Sequence, residues 1–240
     1  MNKYRKKILG IIPARGGSKG IPGKNLKKLC DKSLLQIAIE SAEKSLLIDD
    51  LIISTEDDQI FSEAESLGHK PPFKRPKELA LDNSSSISVV KHTLEFFKIK
   101  NKIFDFCILL QPTNPFRTTK MIDESLNLLS KSNADSVVSV VDVEGNHPYR
   151  MYEIKGKYLK ALFESKDPQL ARQLLPKFFI RSGDIYSFRT ETIEKFDNLI
   201  GKKSIPYEIS PNKTINIDSP KDLILAEKLF KNFKNELSSF

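Results

Sequence analysis

Hydrophobic and polar positions follow two periods through the first 142 residues. Short apolar runs at 8–12 (ILGII), 51–55 (LIIST), 104–110 (FDFCILL) and 136–141 (SVVSVV) have the length and side chains of buried strands. Between them, apolar residues recur three and four apart. Residues 33–45 put Leu34, Leu35, Ile37, Ala38 and Ala42 on one helical stripe. Helices are likewise predicted at 57–67 (closed by Gly68), at 84–98 (with serines at its start as caps) and at 118–131. A proline-rich loop, 70–82, interrupts the series. Four rounds of strand and helix imply a parallel sheet with helices on both faces, whose ligands sit beyond the carboxyl ends of the strands.

The pattern changes over 144–183. Tyr152, Ile154, Tyr158, Leu159, Leu162 and Phe163 flank Lys155-Gly156-Lys157, which reads as a hairpin. A hairpin of this size is not stable alone. It needs either its own domain or a second subunit to pack on. Strands return at 184–188 and 203–209, and a helix with Pro220 in its first turn closes the chain at 219–233. The expected organisation is therefore one α/β unit built from 1–143 and 184–240, with 144–183 as an insert.

At 240 residues and 39% hydrophobic content the chain can bury a sizeable core. No apolar run reaches the ~20 residues of a membrane span. The apolar stretch after the basic start is too short for a signal peptide and meets Arg15, so a soluble cytoplasmic protein is expected. Cys30 and Cys107 offer no disulfide framework, and His69, His92 and His147 are too scattered for a metal motif or a triad. The net charge of +8 suits nucleic acid or several small anions. Dispersed lysines without an RRM, zinc-finger or helix-turn-helix signature leave the second reading, with no nucleic acid and no membrane as partners.

The stretch 8–26, ILGIIPARGGSKGIPGKNL, carries the chemistry. A strand empties into a loop with Gly16, Gly17 and Gly20, whose amides can turn towards an anion, and with Arg15 and Lys19 as two full charges beside them. A flexible surface turn is the plain alternative. The loop matches neither the GxxxxGK P-loop nor the GxGxxG dinucleotide pattern, which argues against a P-loop ATPase and an NAD enzyme. A second special loop, QPTNPFR at 111–117, leaves another strand at the same end of the sheet.

Five motifs in order, PARGGSKGIPGKNL, RPKELALDNSSS, LLQPTNPFR, RQLLPKFFIRSGDIY and INIDSPKDL, resemble the CMP-sialic acid synthetases, or acylneuraminate cytidylyltransferases, over essentially the whole chain. The resemblance implies a Rossmann-like, glycosyltransferase-A-like three-layer nucleotidyltransferase fold with a mainly parallel sheet and a small dimerisation insert. It implies a homodimer that joins CTP to a nine-carbon 2-keto sugar acid, giving the CMP-sugar and pyrophosphate with Mg²⁺ (or Mn²⁺). It assigns Arg15, Ser18 and Lys19, with the backbone of Ala14, Gly16 and Gly17, to the triphosphate. Asn25 goes to the nucleotide, Arg75 to cytosine, and Ser84, Ser85 and Ser86 to a helix start near it. Gln111, Arg150, Arg172 and Tyr186 are assigned to the sugar acid; Arg117 either binds ligand or braces its loop. Arginine suits a carboxylate through its planar fork, although Arg150 and Arg172 equally suit surface ion pairs.

Asp218 matches the metal aspartate, and Arg15, Lys19 and Asp218 form the expected catalytic set. The chain departs from the common DID pattern at Asn216, a neutral secondary ligand. It also has Ser182 where relatives often carry asparagine. The implied step is in-line attack on the α-phosphorus of CTP, which needs no side-chain nucleophile. The rivals are an octulosonate cytidylyltransferase, whose relatives carry an aspartate in the QPTNP loop, and a nucleotide-binding regulatory domain without catalysis.

Overall fold

The structure, a computed structural model, describes residues 5–163 and 171–237, without the side chains of Arg172 and of 231–237. It opens with β1 (Ile8–Pro13) and a small antiparallel pair, β2 (Lys28–Leu29) and β3 (Lys32–Ser33). These lead through α1 (Leu34–Glu43), β4 (Asp50–Ser54), α2 (Asp58–Ser66) and α3 (Ser86–Ile99) to β5 (Phe106–Leu109). Next come α4 (Thr119–Ser130), β6 (Ser136–Asp142), the hairpin β7 (Tyr152–Lys155) and β8 (Tyr158–Ala161), and β9 (Phe179–Arg189). The chain ends with α5 (Thr190–Phe196), β10 (Ser204–Glu208) and α6 (Pro220–Leu237).

Six strands form the central sheet in the order β10-β6-β9-β5-β1-β4. β1, β4 and β5 pair in parallel, as do β6 and β10, whereas β9 runs antiparallel to both β5 and β6. The sheet is thus mainly parallel, with one reversed strand. Alternation along β1 decides its two faces. Ile8 and Ile12 join Leu35, Ile39, Ile60, Ile122 and Leu126 under α1, α2 and α4. Leu9 and Ile11 join Val90, Phe97, Cys107 and Ile193 under α3 and α5. Helices therefore cover both faces, giving the expected three layers. A third cluster, Ile21, Leu29, Leu34, Phe116, Ile217 and Ala226, ties α6 to the end of the first loop.

The polar residues at the predicted helix starts serve as caps. Ser33 accepts from the Gln36 amide at 3.0 Å, Asp57 from Gln59 and Ile60 at 2.9 Å each, and Ser85 from Ser88 at 3.2 Å. Each supplies an acceptor to first-turn amides that the helix itself leaves without one. Cys107 is buried, its thiol pushed up to about 12 by burial and opposed by its contact with Thr190.

Two features differ from the sequence expectation. The strand expected at 184–188 begins at Phe179, so a division of the chain at 183/184 falls inside β9. Gly183, at φ +89°, lets the strand pass through what reads as a turn, and the pairing with β6 shifts register between Val138 and Val140. The seven-residue helix α5, TETIEKF, was also not foreseen. Its periodic signal spans too few turns to stand out.

Candidate active site

Because β1, β4 and β5 are parallel, the loops after Pro13, Ser54 and Leu109 leave at one edge, where β9 enters. They enclose a cleft of about 600 Å³. Its walls include Arg15, Ser18, Lys19, Asn25, Arg75, Ser84, Ser85, Ser86, Gln111, Asn216 and Asp218. Ten of the sequence-derived site residues thus come together from five stretches of chain, and Ser86 with them.

In the cleft the positive groups are held by carboxylates. Asp82 bridges Arg15 Nη2 at 3.0 Å and Lys19 Nζ at 2.8 Å. The hydrogen bond from Lys19, with Arg15 adding its charge, keeps the Asp82 carboxyl below its ordinary range. Arg75 is buried and gives Nε and Nη2 to Glu56 Oε2, at 3.2 and 2.6 Å. Lys24, its side chain only 14% exposed, holds Asp218 Oδ1 at 2.8 Å. Asn216 Nδ2 donates to the other Asp218 oxygen at 2.5 Å. Burial raises the neighbouring Asp222 carboxyl, but hydrogen bonds from Ser219 and from the Ser219 and Asp218 amides outweigh it, and the net shift is downward. Asp222 therefore stays ionised and pins the turn that carries Asp218.

The first loop is braced from within. Asn25 Nδ2 donates to the Arg15 carbonyl at 2.8 Å, and the Gly16 amide donates to Glu56 Oε1 at 2.8 Å. The Ala14 amide joins the Ser54 carbonyl at 3.0 Å, continuing the sheet. The amides of Ala14 and Gly16 are thus hydrogen-bonded within the chain. Gly17 does not line the cleft, and a side chain there would meet open space. A Cβ on Gly16 would strike Asp57, and one on Gly20 would strike the Asp218 backbone carbonyl. Gly20 therefore lets the loop after β1 lie directly on the segment that carries Asp218.

A smaller cavity of about 250 Å³ opens beside the cleft and shares Ser86 and Gln111 with it. Tyr186 lines it, its phenol pushed up chiefly by burial, together with Arg181 and Asn198. Arg117 braces rather than reaches out. It is buried and donates to the carbonyls of Gln111 at 3.0 Å and Asp184 at 3.2 Å, with burial lowering it to about 10 against the pull of Asp184. Arg150 is exposed at the end of the turn Pro148–Arg150 and lines neither cavity. The side chain of Arg172 lies outside the described residues.

Three residues at these cavities, Lys24, Asp82 and Arg181, and one behind them, Glu56, are not singled out by the sequence. Lys24, Asp82 and Arg181 stand inside quoted motifs. A lysine between Gly23 and Asn25, and a carboxylate two residues before the serine cluster at a helix start, were the available signals.

A family model, Cytidylyltransferase, matches residues 9–235. The chain belongs to the cytidylyltransferase family. Among its relatives, the CMP-N,N'-diacetyllegionaminic acid synthase of Legionella pneumophila is 32% identical over 228 residues, which cover 94% of this chain and 97% of that one. The pseudaminic acid cytidylyltransferase of Campylobacter jejuni is 29% identical, with 94% and 97% covered. Among solved structures, CMP:2-keto-3-deoxy-manno-octonic acid synthetase complexed with CTP superposes with a TM-score of 0.69 at 18% identity, covering 94% of this chain and 99% of that one. At that identity the match supports the nucleotidyltransferase fold alone. This cytidylyltransferase is therefore a nucleotidyl-transferring enzyme by family. Among its described residues no helix is long and apolar enough to cross a membrane.

Proposed function

We propose that this cytidylyltransferase joins CTP to a nonulosonic acid, forming the CMP-sugar and pyrophosphate. The observation that carries the reading is Asp82 bridging Arg15 and Lys19, because two cations sharing one anion at the strand edge is what a polyphosphate would replace. Arg15, Lys19 and Ser18 then take the triphosphate, Asn25, Ser84 and Ser85 the nucleoside, and Arg75 the base. The adjoining cavity with Gln111 and Tyr186 receives the sugar acid. The names of the relatives support a nine-carbon acid.

In this arrangement the anomeric hydroxyl attacks the α-phosphorus of CTP. The new O–P bond forms as the bond to pyrophosphate breaks, and the hydroxyl proton passes to water. Arg15 and Lys19 meet the charge gathering on the leaving pyrophosphate, and fixed cations of this kind need little reorganisation in the transition state.

The residues present fit Mg²⁺ or Mn²⁺. Asp218 is a carboxylate at the cleft wall, and the Asn216 amide oxygen is a hard neutral donor beside it. Among the described residues no three His, Cys, Asp or Glu side chains cluster as a metal cage. That suits an ion bound by one or two carboxylates with phosphate oxygens completing its shell. Asp218 and Asn216 would hold it, and it would supply Lewis-acid polarisation of the phosphoryl oxygens.

The hairpin supports a homodimer. The register places Tyr152 opposite Ala161 and Ile154 opposite Leu159, so one face is apolar, while Glu153, Lys155 and Lys160 fall on the other. Ile154 is 75% exposed and Leu159 68%. A second copy of this chain is the partner we assign to that face, and the cytoplasm, where CTP is available, is its place of work.

Pyrophosphate release decides the reading. With CTP and a panel of N-acetylneuraminate, legionaminate, pseudaminate and octulosonate, turnover is expected for a nine-carbon acid and far less for the octulosonate. No release with any acid would overturn it in favour of a regulatory domain.

A further inference from the structure

The end of β4 links two parts of the cleft that are distant in sequence. Glu56, its side chain 15% exposed, divides its carboxylate between them. Oε1 accepts from the Gly16 amide at 2.8 Å, on the phosphate-side loop. Oε2 accepts from Arg75 Nε and Nη2 at 3.2 and 2.6 Å, on the base side. The flanking residues repeat the arrangement: the Thr55 carbonyl accepts from the Arg75 amide at 2.8 Å, and Asp57 fills the space that a Cβ on Gly16 would need. Because Nε and Nη2 are taken, Nη1 is the part of the guanidinium left without a hydrogen bond among the described residues, and Arg75 lines the cleft.

We propose that Glu56 is a positioning residue that locks the base-side arginine and the phosphate-side loop into one register, so that nucleobase and triphosphate are read as a unit. The proposal rests on the CTP reading above. Glu56 itself does not line the cleft. It acts by fixing which edge of Arg75 faces the cleft and how far the Gly16 backbone stands from it. A planar guanidinium with two of its donors spent on one carboxylate oxygen has little rotational freedom, so the free edge presents a defined direction.

Calorimetric titration of the full chain with CTP and, separately, with inorganic tripolyphosphate in the same magnesium-containing buffer tests it. Glu56→Gln keeps the side-chain length and an oxygen that can accept from Gly16, but sets an NH₂ group against Arg75. It is expected to weaken CTP binding about tenfold or more, with tripolyphosphate within about twofold of the parent, because only the charged partner is lost. Glu56→Ala removes both contacts and is expected to weaken both ligands. Should Glu56→Ala fail to fold, Glu56→Gln decides alone, its thermal melt showing that it is folded. CTP affinity of Glu56→Gln within about twofold of the parent's, or an equal loss for both ligands, overturns the proposal. A parent chain that binds neither ligand overturns the CTP reading and the proposal with it, so the two failures are distinct.

Discussion

In the cleft, Arg15 and Lys19 share Asp82, Lys24 holds Asp218 and Glu56 clamps Arg75. At the tip of the β7–β8 hairpin all eight strand residues are exposed, Ile154 and Leu159 among them. Polar groups are matched within one chain in the first region, while apolar groups are left uncovered in the second. Matched charges cost little to rearrange when an anion arrives, since one counter-ion replaces another. Uncovered apolar surface gains only when something else buries it, at roughly 25 cal/mol per Å². The charges of the cleft are met within a single chain, whereas the apolar side chains of the hairpin are not.

The sharpest way to break this contrast is to remove a carboxylate from the cleft. Asp218→Ala leaves Lys24 without its partner and removes the carboxylate proposed to hold the metal. Turnover is expected to fall about 1,000-fold, roughly 4 kcal/mol of transition-state stabilisation, at any Mg²⁺ concentration. Full activity in a coupled pyrophosphate assay would place the metal elsewhere.

The hairpin side is tested by charge. Ile154→Asp combined with Leu159→Asp should raise the dimer dissociation constant about 100-fold, near 2.7 kcal/mol, as read by light scattering over a concentration series. Because both positions are exposed, the melting temperature of the separated chain should hardly move. A parent chain that stays monomeric at micromolar concentration would remove the second half of the comparison.

Smaller effects sharpen it. Lys19→Ala leaves Asp82 to Arg15 alone and should cut turnover about tenfold, near 1.4 kcal/mol, with the fold intact by circular dichroism. Unchanged kinetics with CTP would take Lys19 out of the site. Asn216→Asp adds a charge beside Asp218 and should lower the Mg²⁺ concentration for half-maximal rate about threefold, since hard cations favour carboxylate over amide oxygen. A rate that needs more Mg²⁺ would show repulsion between the two carboxylates outweighing the added ligand.

The layers of the fold were legible because their signals are local. Leu9 and Ile11 against Ile8 and Ile12 reveal a strand buried on both faces, and Ser33, Asp57 and Ser85 each announce the helix that starts at the next residue. β9 was legible only in part, because Gly183 imitates a turn while the register shift opposite absorbs it. The site followed the same rule. Arg15, Lys19 and Gln111 sit in conspicuous loops at strand ends. The Lys24–Asp218 pair spans 194 positions, and Glu56 meets Gly16 and Arg75 across 40 and 19. Such partners are created by the sheet order, which no local pattern records.

The three glycines of the first loop also look interchangeable in sequence and differ in space. Gly16 is walled in by Asp57 and Gly20 rests on the Asp218 carbonyl, while Gly17 faces solvent. Over generations, therefore, the loop should drift unevenly. Position 17 is free to sample alanine, serine or lysine at little expense, whereas 16 and 20 are barred to every side chain unless the neighbouring segment moves with them. Descent would then leave Gly16 and Gly20 as a fixed frame around one variable letter, and a change at 20 would be tolerated only alongside a matching change in the turn that carries Asp218.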